Sequence, residues 1–67
     1  MNLRVNDKPH DVADRATLHD LLAELGHVAK RGVAVAVNDA VVPRSTWETH
    51  SLVAGDRVLV VQATQGG

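Results

Sequence analysis

Gly66 and Gly67 close the sequence, and of all its residues these two offer the most accessible chemistry. Glycine has no Cβ, so a pair of them lets the backbone take almost any φ/ψ and pass close to another surface. With Gly67 as the mature end, its carboxylate is the outermost group on a thin, bare stalk. Such a tail suits insertion into a partner's active site, where the acid can be activated and derivatised. A Gly-Gly ending arises by chance in about one chain in 200, so the pair alone is weak evidence and the residues before it must decide. Other reactive side chains are dispersed. His10, His19, His27 and His50 form no H-x-x-x-H pair, and there is no cysteine to complete a zinc site. Those histidines read as solvated, with His19 and His27 flanking a helix and His10 and His50 on exposed segments. Ser45, Thr46 and Ser51 lack a nucleophile elbow and an identifiable base, so no catalytic residue is assigned. Gly32 and Gly55 lie in no phosphate-cradling pattern, and the chain is not expected to bind ATP, a metal or another cofactor.

The elements that must carry the tail are short. Met1–Val5 alternates apolar and polar residues, Asn6-Asp7 signals a turn, and the chain returns through Pro9–Val12 as the second strand of a hairpin. Pro9 cannot donate a ladder hydrogen bond and favours an edge position. Thr17 stands before Leu18, Leu21, Leu22 and Leu25, an apolar stripe at helical spacing, with Asp20 placed to complete a capping box and Gly26 as a left-handed stop. Val33–Val37 is β-branched at alternate positions and reads as a buried strand. Asn38-Asp39 turns into a short strand at Ala40–Val42. Pro43–Trp47 reads as a turn or one helical turn, Ala54-Gly55-Asp56 as another turn, and Arg57–Gln62 as the last strand. The order β-β-α-β-β-β predicts one sheet with a single helix across it, an α+β domain over residues 1–63 with a free tail over 64–67.

At 67 residues with no cysteine, the chain has one marginal core and no disulfide to brace it. A net charge of −1 with both signs interspersed gives no basic stripe for nucleic acid. No apolar run is long enough to span a membrane and no leader pattern opens the sequence, so a soluble cytoplasmic protein is expected. Zero cysteine also means that any sulfur handled here would sit on the C-terminal carbonyl rather than on a thiol of the chain.

Val37-Asn38, Val41-Val42-Pro43-Arg44, Trp47, His50, Leu52, Gly55-Asp56 and Gly66-Gly67, together with Asn6-Asp7 and Thr17–Leu22, resemble the pattern of the ThiS family. These are the sulfur carriers of thiamine biosynthesis, with a ubiquitin-like β-grasp fold, and the resemblance spans essentially the whole chain. It implies one mixed sheet of four to five strands. It also implies that a ThiF-like adenylyltransferase converts Gly67 to an acyl-adenylate. Sulfide, or a persulfide on a donor protein, would then give a thiocarboxylate that delivers sulfur to thiazole synthase. The chain would be a substrate in that scheme, with Gly66 and Gln65 recognised as part of the tail. The small subunit of molybdopterin synthase, a protein modifier joined to lysines through Gly67, and a plain interaction module are the rival readings. Neighbouring last and third strands, as the fold implies, would set Ala34, Ala36, Leu59 and Val61 on the sheet face away from the helix, as a flat apolar patch beside the tail root. Trp47 is left between core packing and partner contact, and Arg44 between the sheet edge and a partner's acid.

Overall fold

The computed structural model describes residues 1–28 and 31–62. Its elements are β1 (Asn2–Val5), β2 (Lys8–Asp11), α1 (Leu18–Glu24), β3 (Val33–Val37), β4 (Ala40–Val41), a 3-10 helix (Arg44–Thr49) and β5 (Arg57–Gln62). They form one five-stranded sheet in the order β2-β1-β5-β3-β4. β1 and β5 run parallel at the centre, and every other pairing is antiparallel. This is the mixed β-grasp sheet that the family resemblance implies, with Pro9 on the edge strand as expected. Among the described residues, no helix is long and apolar enough to cross a membrane.

Both two-residue hairpins turn the same way. Asn6 and Asp7 have φ of 50° and 68°, and Asn38 and Asp39 have 51° and 71°. Two successive positive φ values define the turn whose twist matches a right-handed hairpin, and Asn and Asp tolerate that region better than other side-chain-bearing residues. Their side chains also reach into the sheet. Asn6 Oδ1 accepts from Val60 N–H at 2.8 Å, and Asn38 Oδ1 accepts from Arg57 N–H at 3.0 Å. Two asparagines therefore hold the last strand from either side. Asn38 Nδ2 donates to Asp56 Oδ1 at 2.9 Å, and the other Asp56 oxygen accepts from Val53 N–H at 2.9 Å, which gives the buried Asp56 carboxylate two partners.

α1 starts where the sequence places it. Asp20 N–H donates to Thr17 Oγ1 at 3.2 Å, and Thr17 N–H donates to Asp20 Oδ2 at 3.0 Å, which completes the capping box. The same Thr17 N–H holds the Asp20 carboxyl below its ordinary value. A depressed carboxyl contributes stability above the unfolded-state pKa of about 3.9 and loses it as pH falls through the lower folded value. The urea midpoint of Asp20→Asn should therefore lie below that of the wild type at pH 6, and the gap should close toward pH 2. A gap independent of pH would refute the assignment. Gly26, at φ 81°, ends the helix as the sequence predicts.

The core lies between the sheet and its single helical layer. Leu3, Val35, Val37 and Val58 come from the strands, Leu18, Leu21 and Leu22 from α1, and Val12, Ala16, Val42, Trp47 and Leu52 from the connections. Trp47 is 2% exposed, and its indole N–H donates to the Val42 carbonyl at 3.0 Å. The tryptophan is thus a core residue, and the Arg44 guanidinium stacks over its ring 5.1 Å from the centroid. The 3-10 helix extends two residues beyond the single turn read at Pro43–Trp47. Leu18 N–H to His50 O and Leu52 N–H to Ala16 O then stitch the segment after it to the start of α1.

Candidate functional site

β5 carries the tail, so its neighbours decide what surrounds the tail root. The antiparallel register sets Gln62 opposite Val33, Val61 opposite Ala34, Val60 opposite Val35, Leu59 opposite Ala36, and Val58 opposite Val37. Val58 is 2% exposed and Val60 packs against the core, while Leu59 and Val61 are 53% and 51% exposed on the opposite face. Strand alternation thus separates the two sides of β5 as the sequence predicts. Ala34 is exposed and Ala36 half-buried, and all four predicted patch residues lie side by side.

The sequence reading missed Val41. It pairs with Ala36 across the β3–β4 hairpin and is 76% exposed, the most open of the large aliphatic residues. Its alternation after the Asn38-Asp39 turn carried the signal, since the residue opposite Ala36 must share its face. Val41 forms one wall of a shallow apolar cleft of about 170 Å³ over Ala34, Ala36, Leu59 and Val61. Ala36 and Leu59 also border a second cleft of about 360 Å³, whose other walls include Arg4, Asn6, Asp39 and Arg57. There Arg57 pairs with Asp39 at 2.9 Å, and Arg4 Nη2 donates to the Asp7 carbonyl at 3.0 Å. The face is therefore apolar over β3, β4 and the distal half of β5, and charged near the start of β5.

Gln65, Gly66 and Gly67, and the boundary expected after Ala63, lie outside the described residues. The histidines are corrected in part. His19 lies inside α1 rather than beside it, 3.9 Å from Glu48, and His10 is only partly exposed, with Nε2 3.3 Å from Glu24 Oε1. Among the described residues, no group of three or more His, Cys, Asp or Glu side chains is arranged to hold a metal. Thr46 Oγ1 donates to the Pro43 carbonyl at 3.0 Å, a bond local to its turn.

The ThiS family model matches residues 3–67. The sulfur carrier protein ThiS of Escherichia coli strain K12 is 36% identical over 67 residues, with both chains covered in full. The crystal structure of the thiamine biosynthesis protein ThiS from Geobacter metallireducens is similar to this chain with a TM-score of 0.84 at 32% identity, again over the whole of both chains. The solution structure of a thiamine biosynthesis protein from the same organism gives a TM-score of 0.78 at 31% identity, over all of this chain and 88% of the other. A grasp sheet, an exposed apolar face beside the tail root and full-length similarity converge on one assignment: the chain belongs to the ThiS family.

Proposed function

We propose that this protein carries sulfur for thiamine biosynthesis as a C-terminal thiocarboxylate on Gly67. The full-length similarity to a protein named as a sulfur carrier is the observation that carries this reading. A carboxylate is a poor electrophile, so its oxygen must first become part of a leaving group. An ATP-dependent activating enzyme of the ThiF kind joins the Gly67 carboxylate oxygen to the α-phosphorus of ATP and releases pyrophosphate. Sulfide then attacks the acyl carbon, AMP departs with the C–O bond electrons, and the thiocarboxylate remains. When a persulfide protein is the donor, a thiol must afterwards cleave the S–S bond. Thiazole synthase is the consumer of the sulfur.

In this scheme the chain is a substrate rather than an enzyme, and none of its side chains acts as acid, base or nucleophile. Its contribution is presentation: Gly66 and Gly67 leave the acyl carbon open to attack, Gln65 and Gly66 are read by the enzyme's channel, and Ala34, Ala36, Leu59 and Val61 dock the body. Exposed apolar patches of this kind commonly serve as protein interfaces. Intact-protein mass spectrometry after incubation with ATP, a ThiF-like enzyme and sulfide tests the proposal. A mass gain equal to replacing one oxygen by sulfur is expected. An unchanged mass with an enzyme active on its own carrier would refute it.

A further inference from the structure

β5 is flanked unevenly. β3 runs beside it from Val58 to Gln62, whereas β1 reaches only Arg57 and Val58 before the chain turns away at Asn6-Asp7. The bonds on either side fix where each backbone group points. Asp56 O accepts from Arg4 N–H and Val58 O from Asn6 N–H, so these residues face β1. Arg57 faces the other way: its carbonyl accepts from Asn38 N–H and its N–H donates to Asn38 Oδ1. Alternation along the strand then aims the backbone groups of Val60 and Gln62 past the end of β1. Asn6 Oδ1 closes the Val60 N–H at 2.8 Å. Among the described residues nothing bonds to Val60 O or to the N–H and O of Gln62, and Gln62 is exposed. Proteins commonly blunt open strand edges with charge, proline or shortness, and the two outer edges of this sheet follow that rule. β2 carries Lys8, Pro9 and Asp11, and β4 is two residues long with Pro43 close behind it. The distal edge of β5 has no such guard, since no proline or charged side chain occurs from Val58 to Gly67.

We propose that an extended segment of the activating enzyme adds to this open edge, bonding Val60 O and the N–H and O of Gln62. The inference rests on the proposed function and adds the mode of docking. A row of unpaired N–H and C=O groups is matched by another extended backbone, while alternate side chains supply selectivity. Here Leu59 and Val61, from the same stretch of β5, border the apolar cleft, so one short segment offers both kinds of contact. Strand addition beside β5 also fixes the direction in which the chain leaves the sheet. Edge pairing between two copies would set this two-residue stretch against itself. It would bury far less than the roughly 800 Å² per partner of a stable interface.

Gln62→Pro removes the N–H that faces the open edge and spares the bonds between β5 and β3, so its urea midpoint should stay near that of the wild type. The added strand would lose a donor and meet the proline ring. KM for carrier-dependent pyrophosphate release should therefore rise about ten-fold, with kcat within about two-fold. Gln62→Ala keeps the N–H and should change KM by less than about two-fold. Amide hydrogen exchange of the wild type reads the edge directly. The Gln62 amide should exchange rapidly in the free chain and at least about ten-fold more slowly with saturating enzyme and no ATP. The Val61 amide, which faces β3, should be protected in both states. Slow exchange at Gln62 in the free chain would overturn the inference, as would equal losses from the proline and alanine variants. Protection of Gln62 that grows with carrier concentration in the absence of enzyme would assign the edge to a second copy and overturn it too. Adenylation without added protection of Gln62 rejects the edge alone. Protection in the complex without adenylation supports the edge and rejects the carrier reading.

Discussion

Val58→Asp should leave the protein unfolded at neutral pH, and Leu59→Asp, one residue later, should leave it folded but poorly adenylated. Val58 is 2% exposed, between β1 and β3 in the middle of the sheet, and packs into the core. A carboxylate there would lose its water with no cation designed to receive it, at an effective cost of several kcal/mol. Small domains have little more than about 5 kcal/mol in total, so the penalty is comparable to the whole stability. Leu59 points to the other side and is 53% exposed, so an aspartate at that position keeps its hydration. Its effect on folding should stay within about 1 kcal/mol. On the proposed docking role of the patch, the same charge must be desolvated on binding, which should raise KM for the activating enzyme by about ten-fold or more. Circular dichroism and Trp47 fluorescence report the first outcome, and pyrophosphate release the second. Unfolding by Leu59→Asp would place that side chain in the core, and an unchanged KM would remove the patch from the docking surface.

That contrast was legible in the sequence because strand alternation is local. The same holds for the positive-φ turns at Asn6-Asp7 and Asn38-Asp39, the Thr17–Asp20 capping box and the stop at Gly26. Each depends on residues within about four positions, where side-chain chemistry and backbone geometry are tied directly. Only the adjacency of the third and last strands was reached, and that through the family resemblance. Nothing in the run of Arg57–Gln62 says that it inserts between β1 and β3, parallel to one and antiparallel to the other. The bond from Val60 N–H to Asn6 Oδ1 was equally hidden, because it joins residues 54 apart. Asp56 read as a turn residue, and its burial follows from Asn38 and Val53 meeting it only in the fold. Trp47 was undecided for a similar reason: an indole is apolar over most of its surface and needs one acceptor, here the Val42 carbonyl, to be buried without loss. Val41 was passed over in the patch although alternation after the Asn38-Asp39 turn sets it on the face of Ala36; that it stays open to solvent there, 76% exposed, is visible only in the fold.

The tail variants should produce the largest functional losses with the least structural change. Gly66 and Gly67 follow β5 in sequence, and the core and the sheet pairings of the described residues are built without them. The urea midpoint of Gly66→Ala and of Gly67→Ala should therefore match the wild type. At Gly67 an added methyl group sits next to the carboxylate that must line up with the α-phosphorus of ATP. Misplacing reacting atoms by about 1 Å costs on the order of 100-fold, and a similar fall in kcat/KM for adenylation is expected. Gly66→Ala adds a Cβ to a residue that the proposed scheme threads into the activating enzyme. A decrease of about ten-fold or more is expected there. Removing both glycines moves the carboxylate to Gln65, about two residues and 7 Å short of the reacting position, and product should vanish. The two mechanisms separate in the kinetics. Loss of alignment at Gly67 should appear mainly in kcat, because docking through the body of the protein is unaffected, whereas Leu59→Asp should act through KM. Wild-type kcat for Gly67→Ala would show that the enzyme does not read the last residue closely. Continued thiocarboxylate formation after deletion of both glycines would show that Gly67 is not the activated residue.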